Sequence, residues 1–464
     1  MTPVSRHRIF FLFKFLALSA FLSSCGSGNN QSSAPSDQSA QAEVVNEDES
    51  SSFFWEVVDP DEAGFDSQAL EDAYEYAFDE RFNTQSLLVV RGGKIVAERY
   101  AGISQANIDG LLEVFSEVRG WGSSLSREDW QERYGLRDQF SLATSWSTAK
   151  SVASTLIGIA IAEDFIESVD QPASDFLPEW LGTDKEGRVS IRDILTMKSG
   201  LQCPDGPNGG DIYNEENQLD VAVKRALESS ITAEGEKKDS AWVYCNADSM
   251  LLGEIIENAT GYTAYDFGDR FLFAPLGMKV DWWRDKANNY LTYCCIDATS
   301  RDFARFGLLW LSRGVWEGRS LFTETFLDAA LRQSDIAFER DNLGYGFQWY
   351  IQSLFNDDNE TIRELSFGTK GFHMNNIWLF PDLDLVIVRN SLFDRVLDAI
   401  DDTVRTGDLE VLFQGEDLDV NVHATLAPYN AMLIRGRFYP YNAADGVKSL
   451  SEDKLISDII KSIR

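Results

Sequence analysis

Ser147-Thr148-Ala149-Lys150 sets a hydroxyl three residues ahead of an amine, immediately before the apolar run from Ser151 to Ile161. Residues three apart on a helix share a face, so this spacing predicts that the two side chains meet. The serine also stands near the start of the helix, where the macrodipole stabilises a developing anion. Val152, Leu156, Ile157, Ile159 and Ile161 leave that helix apolar on nearly every side, which predicts burial. A hydroxyl and an amine held together at the end of a buried helix are the parts of a self-activated nucleophile. Spacing alone is weak: Ser451-Glu452-Asp453-Lys454 repeats it in a polar helix start with nothing apolar around it.

Two further stretches could complete the chemistry. Tyr244-Cys245-Asn246 stands just before a helix predicted from Ala247 to Thr260. A phenol relays a proton to and from a serine oxygen when a nearby ammonium lowers its pKa, and an asparagine can hold a substrate carbonyl. Phe367-Gly368-Thr369-Lys370-Gly371-Phe372 enters a strand expected to end at Pro381. Glycine at an edge lets a substrate approach the backbone, whose amide can complete an oxyanion hole. Each stretch also has a purely structural reading, as a core tyrosine and as a tight turn into a strand. Rival schemes lack their residues. There is no Gly-x-Ser-x-Gly elbow, phosphate loop or dinucleotide fingerprint. His7, His373 and His423 are the three histidines, too few and too scattered for a Ser-His-Asp triad. With no Cys-x-x-Cys either, neither a metal site nor a cofactor is expected.

The elements that must position these residues follow from periodicity. An acidic helix carries Leu70, Ala73, Tyr74 and Ala77; Ser86 to Val90 and Lys94 to Tyr100 flank Gly92-Gly93 as a hairpin. Val189 to Leu195 starts a helix closed by Ser199-Gly200, and Gly261 stops the one after Tyr244. Thr299 to Leu311 is a further helix; Tyr345 to Ile351, Asn376 to Phe380 and Leu385 to Arg389 read as strands; Lys454 to Ile463 closes the chain as a helix. Strands near both ends with helices between them predict one α/β domain over residues 53–464, with a helical insertion at about 165–290.

The chain has 464 residues, 44% hydrophobic, with a net charge of −34. That length supports a sizeable core. The charge repels nucleic acid and anionic membrane faces, and otherwise reads as a solubility or salt adaptation. Residues 1–25 carry a basic start (Arg6, His7, Arg8) and the apolar segment Ile9 to Leu22, interrupted by Lys14. This is shorter than a bilayer span and reads as a secretory signal peptide. Residues 26–52, rich in Ser, Gln, Asn, Asp and Glu, lack the apolar content to fold and read as a disordered linker. In an exported protein Cys203, Cys245, Cys294 and Cys295 can form disulfides. Adjacent cysteines rarely bond each other, so a bridge from Cys245 to the 294–295 pair is expected.

Taken together, the three motifs resemble the serine β-lactamase and penicillin-binding superfamily, for which Ser-x-x-Lys is a signature. The closer likeness is to class C β-lactamase-related hydrolases: esterases, D-aminopeptidases, DD-peptidases and 6-aminohexanoate-dimer hydrolases. It runs from about Val58 to Asn390 and includes Leu88-Val89-Val90-Arg91-Gly92-Gly93-Lys94, the phrase from Ile194 to Leu201, and Ala298 to Gly307. The resemblance implies an antiparallel sheet flanked by helices, with a mostly helical inserted domain. It makes Ser147 the acylated nucleophile, Lys150 and Tyr244 its general base and acid, and Asn246 the group that orients the acyl carbonyl. The N–H groups of Ser147 and Phe372 become the oxyanion hole, and Thr369, Lys370, Gly371 and Phe372 border the substrate. The ending Leu22-Ser23-Ser24-Cys25-Gly26 likewise resembles a bacterial lipobox. That implies lipidation of Cys25, a cell-envelope location and contact with the membrane through the lipid alone.

One departure bears on the substrate. The superfamily's third motif usually opens with Lys or His, then any residue, then Gly; here Thr369 holds the first place and the lysine is displaced to Lys370. On a strand that lysine should point the other way. A site without the cation would bind a β-lactam carboxylate poorly. The expectation is therefore a serine hydrolase of a carboxylic ester or small amide, ahead of a DD-peptidase or β-lactamase. A non-catalytic envelope binding protein is the alternative from another class, and the intact Ser147, Lys150 and Tyr244 speak against it.

Overall fold

The computed structural model describes residues 53–79, 82, 84–102, 137–204, 212, 215–227, 242–332, 334–338, 343–355, 361–391 and 450–464. Backbone alone is described at 334–338, 343, 353–355, 361–365 and 373. The stretches expected to be a signal peptide (1–25, with Cys25) and a linker (26–52) lie outside the described residues.

Helix α1 (Ser67–Ala77) begins where the Asp66 carboxylate accepts from the N–H groups of Gln68 and Ala69. This N-cap satisfies donors the helix cannot. β1 (Thr84–Arg91) and β2 (Lys94–Tyr100) form the expected hairpin, with Gly92 and Gly93 at φ +57° and +72°. β3 (Leu142–Thr144) leads through a 3-10 turn, Trp146–Thr148, into α2 (Ala149–Ala162). Short helices follow: α3 (Ile191–Leu195), started by a capping box of Ser190 and Asp193, and α4 (Gln218–Lys224). α5 (Asn246–Thr260) ends at left-handed Gly261. β4 (Asp281–Trp282) and β5 (Ile296–Thr299) join β3 in a small sheet, and a capping box of Thr299 and Asp302 opens α6 (Ser300–Leu311). β6 (Val315–Trp316) and β7 (Arg319–Ser320) make a two-stranded ribbon. β8 (Ser334–Phe338), β9 (Leu343–Tyr345), β10 (Tyr350–Phe355), β11 (Thr361–Gly371), β12 (Asn375–Phe380) and β13 (Leu385–Ser391) complete the strands. The closing helix is α7 (Glu452–Lys461).

The main sheet has eight antiparallel strands in the order β2-β1-β13-β12-β11-β10-β9-β8. Both its faces are covered. Leu88, Val90, Ile377, Leu379, Val386 and Val388 point into a core shared with α2, α5 and α6. Their neighbours Leu87, Val89, Trp378, Phe380, Leu385 and Ile387 point into a second core with α1 and α7. This explains why β1 and β13 read as unbroken apolar runs although their pairing is antiparallel. Alternation of polarity marks a strand with one wet face, and these have none. Gly307 lets α6 lie against the sheet: a Cβ there would come within 2.8 Å of Val386 and 3.0 Å of Ile377.

Two strand expectations need correction. Tyr345 to Ile351 is two strands, because Gly346 to Trp349 leave the ladder and Gln348 takes φ +60°. The glycine motif at 367–372 does not enter one strand running to Pro381. It ends β11, and the 3-10 turn Phe372–Met374 separates it from β12. Short polar-aromatic runs carry no clear period, so tertiary pairing decides these breaks.

Candidate active site

The nucleophile candidate sits on a turn that the small sheet delivers. Ser145 N–H donates to the Ile296 carbonyl at 2.8 Å, and Ile296 N–H returns a bond to Ser145 Oγ at 2.8 Å. Cys295 N–H donates to the Trp146 carbonyl at 3.2 Å. These bonds hold Trp146 at φ +48°, a left-handed conformation costly for a bulky residue. Ser147 follows it, partly exposed at the mouth of α2, whose residues Ala149 to Ala160 are all buried.

Lys150 is buried at 2% exposure, and its Nζ donates to Ser147 Oγ at 3.1 Å and to the Tyr293 carbonyl at 2.8 Å. The same Nζ lies 4.8 Å from the centre of the Tyr244 ring and 5.5 Å from that of Tyr293. Ser147, Lys150 and Tyr244 are thus brought to one place, with the amine nitrogen close to both the hydroxyl and the phenol ring. Tyr293 is a site residue the sequence did not announce, because it acts through a carbonyl that every residue possesses.

Several elements converge to place Tyr244. Val243 N–H donates to the Met197 carbonyl at 3.0 Å. Asp248, one turn into α5, pairs with Arg225 at 2.7 Å, both side chains at most 4% exposed, and accepts from Ser199 Oγ at 2.9 Å. Removing one partner of such a pair would strand a buried charge. A disulfide joins Cys245 to Cys203, and another joins Cys294 to Cys295. The expected bridge between Cys245 and the 294–295 pair is therefore incorrect. The stretch from Ile194 to Leu201 lies against the Tyr244 segment, which brings Cys203 to a Cα separation of 5.8 Å from Cys245. Tyr350, also missed, hydrogen-bonds Tyr244 and stacks edge-on against Tyr345 with ring centres 4.9 Å apart. Burial first, then the adjacent Tyr244, pushes the Tyr350 phenol well above its ordinary value, so it stays protonated as a donor.

Asn246 opens α5 with its side chain buried at 5% exposure. Gly371 presses on the nucleophile turn: a Cβ there would meet the carbonyl oxygens of Ser145 and Asn375, each at 2.5 Å. The Phe372 ring packs edge-on against Trp146 at 5.6 Å. Two of the residues expected to border the substrate have protein partners of their own. Thr369 is fully buried, its hydroxyl 2.8 Å from that of Thr148 and accepting from Ile377 N–H at 3.1 Å. Lys370 points to the opposite sheet face, where Nζ donates to both oxygens of Glu452 at 2.7 Å. Strand alternation sends neighbouring side chains to opposite faces, and neither face of β11 here is free. Among the described residues, no cluster of three or more His, Cys, Asp or Glu could hold a metal ion.

Comparisons with known proteins bear on the family and the fold. A family model described as β-lactamase matches residues 70–394, well over half of the chain. The 6-aminohexanoate-dimer hydrolase of Paenarthrobacter ureafaciens is 24% identical over 313 residues, covering 64% of this chain and 76% of that enzyme. The D-aminopeptidase of Brucella anthropi is 28% identical over 125 residues, a quarter of this chain and 22% of that enzyme. Among solved structures, a Bacteroides dorei protein named only by its likeness to β-lactamases superposes with a TM-score of 0.50 at 15% identity, over 74% of this chain and 98% of its own. That likeness speaks to the fold, which is β-lactamase/transpeptidase-like.

Proposed function

Because this chain belongs to the β-lactamase family of serine hydrolases, we propose that it hydrolyses a carboxylic ester or small amide through an acyl-enzyme on Ser147. The observation that carries this reading is Lys150 Nζ at 3.1 Å from Ser147 Oγ, with the Tyr244 ring 4.8 Å from the same nitrogen. In the proposed cycle Lys150 takes the serine proton as the oxygen attacks the carbonyl carbon. The carbonyl oxygen becomes an anion received by the N–H groups of Ser147 and Phe372. Tyr244 passes a proton to the leaving alcohol or amine, Asn246 steadies the acyl group, and a water activated by the same pair releases the acid.

Two features favour a substrate without a carboxylate beside the scissile bond. Thr369 stands where related sites place a cation, and the lysine next to it is engaged by Glu452. The net charge of −34 also opposes the approach of anions. The test is turnover of p-nitrophenyl butyrate, nitrocefin and a D-Ala-D-Ala peptide, with fluorophosphonate labelling and Ser147→Ala as control. Ester turnover that falls roughly 10³-fold or more in the variant, with label on Ser147 in the parent, is the expected result. Faster turnover of nitrocefin or the peptide would reassign the substrate. Neither turnover nor labelling would leave a binding protein.

A further inference from the structure

The end of β11 borders the nucleophile turn but is held by the sheet on one side only. β10 pairs with β11 no further than Tyr350 opposite Gly368. Thr369, Lys370 and Gly371 pair with β12 alone, opposite Ile377, Asn376 and Asn375. This overhang must still be placed to within a fraction of an ångström, because the carbonyl of Ser145 lies against Gly371. Side chains supply what the missing ladder does not. On one face Thr369 bonds Thr148, the residue after Ser147. On the other face Lys370 reaches α7, where both oxygens of Glu452 accept at 2.7 Å.

Glu452 is more elaborately held than a surface ion pair. Trp378 Nε1, on β12, donates to its Oε1 at 2.6 Å, and Gln352, on β10, donates at 3.4 Å. Its side chain is 22% exposed and that of Lys370 is 25% exposed. Burial pushes its carboxyl up, but the Lys370 charge and hydrogen bonds from Lys370, Trp378 and Gln352 outweigh this and hold it below the ordinary range. The carboxylate thus ties β10, β11 and β12 to the first turn of α7, whose N-terminal dipole also favours a negative charge. Lys370 Nζ further lies 6.0 Å from the centre of the Tyr350 ring, the residue whose phenol meets Tyr244.

We propose that Glu452 and Lys370 are positioning residues: the closing helix fixes the overhang of β11 against the Ser147 turn from the far side of the sheet. The inference rests on the hydrolase reading of Ser147. It also assigns a use to the lysine displaced from the third motif, as an anchor for the strand and not as a substrate ligand. A tie that acts only on stability would lower the unfolding midpoint and leave turnover of the folded enzyme intact. One that positions the strand lowers kcat with little change in KM, since misplacement of the oxyanion-binding backbone is felt after substrate is bound.

The experiment compares the full-length protein with Lys370→Met/Glu452→Gln, which removes both charges and strands neither, following p-nitrophenyl butyrate kinetics and thermal unfolding together. The expected result is kcat lowered on the order of tenfold with KM within about twofold of the parent; Lys370→Arg, which keeps the cation, retains most of the rate. A folded double variant with parental kcat overturns the proposal. Trp378→Phe removes one donor to the same carboxylate; because Trp378 lies in the second core, its unfolding midpoint is read alongside, and a folded variant with unchanged kcat counts against the idea. Parent enzyme that neither turns over ester nor takes a fluorophosphonate label would instead sink the hydrolase reading, and this inference with it.

Discussion

Lys150 is the residue on which the chemistry turns, and its surroundings show how a spacing becomes a site. Three residues of separation bring Nζ to 3.1 Å from Ser147 Oγ, as helix geometry requires. The second contact, to the Tyr293 carbonyl, comes from a segment 143 residues away and aims the amine. On the far side Tyr350 donates to Tyr244, and this leads to a prediction about pH. A donor on the phenol oxygen favours the phenolate, so deleting it disfavours that form. Tyr350→Phe should therefore move the alkaline limb of the kcat/KM profile, where Tyr244 loses the proton it passes to the leaving group, to higher pH, read against the same profile of the parent. A limb that stays in place would show that Tyr350 only fills space.

At the scale of elements, the site is a meeting of three ends: the start of α2, the segment leading into α5, and the overhang of β11. Each is prepared by local chemistry legible in the chain. Ser190 with Asp193 and Thr299 with Asp302 are capping boxes, and Gly92, Gly200 and Gly261 take left-handed φ at turns and helix ends. Gly371 is of another kind, since its φ of −97° suits any residue and only its surroundings demand glycine. Two backbone carbonyls stand 2.5 Å from where a Cβ would be, and backbone cannot move aside as a side-chain tip can. Gly371→Ala should reduce kcat/KM for an ester by about 10²-fold through displacement of the nucleophile turn. Parental kinetics in that variant would mean that β11 and the turn are not mechanically coupled.

For the whole molecule, the disulfide between Cys203 and Cys245 joins positions 42 residues apart in sequence, around the stretch that contains Arg225. Closing a loop of that size removes unfolded-state entropy worth roughly 4 kcal/mol in the chain-entropy model. Replacing both cysteines by serine should lower the denaturant midpoint accordingly, while Lys150 and Ser147, held by α2, keep their contact. A midpoint unchanged within error would show that the buried Arg225–Asp248 pair and the core already hold this region. The two-sided core explains why the fold was readable from apolar runs: Leu87 to Val90 and Leu385 to Val388 are buried at every position. It also explains why the site was only half readable.

What the sequence determined by itself was local: a serine and a lysine one helical turn apart, an apolar helix behind them, caps, glycine stops and the strands of the hairpin. Each depends on residues within a few positions of one another, where spacing and geometry are nearly the same thing. Tertiary structure alone decided that Tyr293 and Tyr350 belong to the site, that Cys203 is the partner of Cys245, and that Glu452 is what the outward-turned Lys370 meets. Those contacts join residues 42 to 143 positions apart in the chain, or lie on a strand whose breaks no period announces. Over such distances only the packed sheet, with both faces covered, says which side chains can meet.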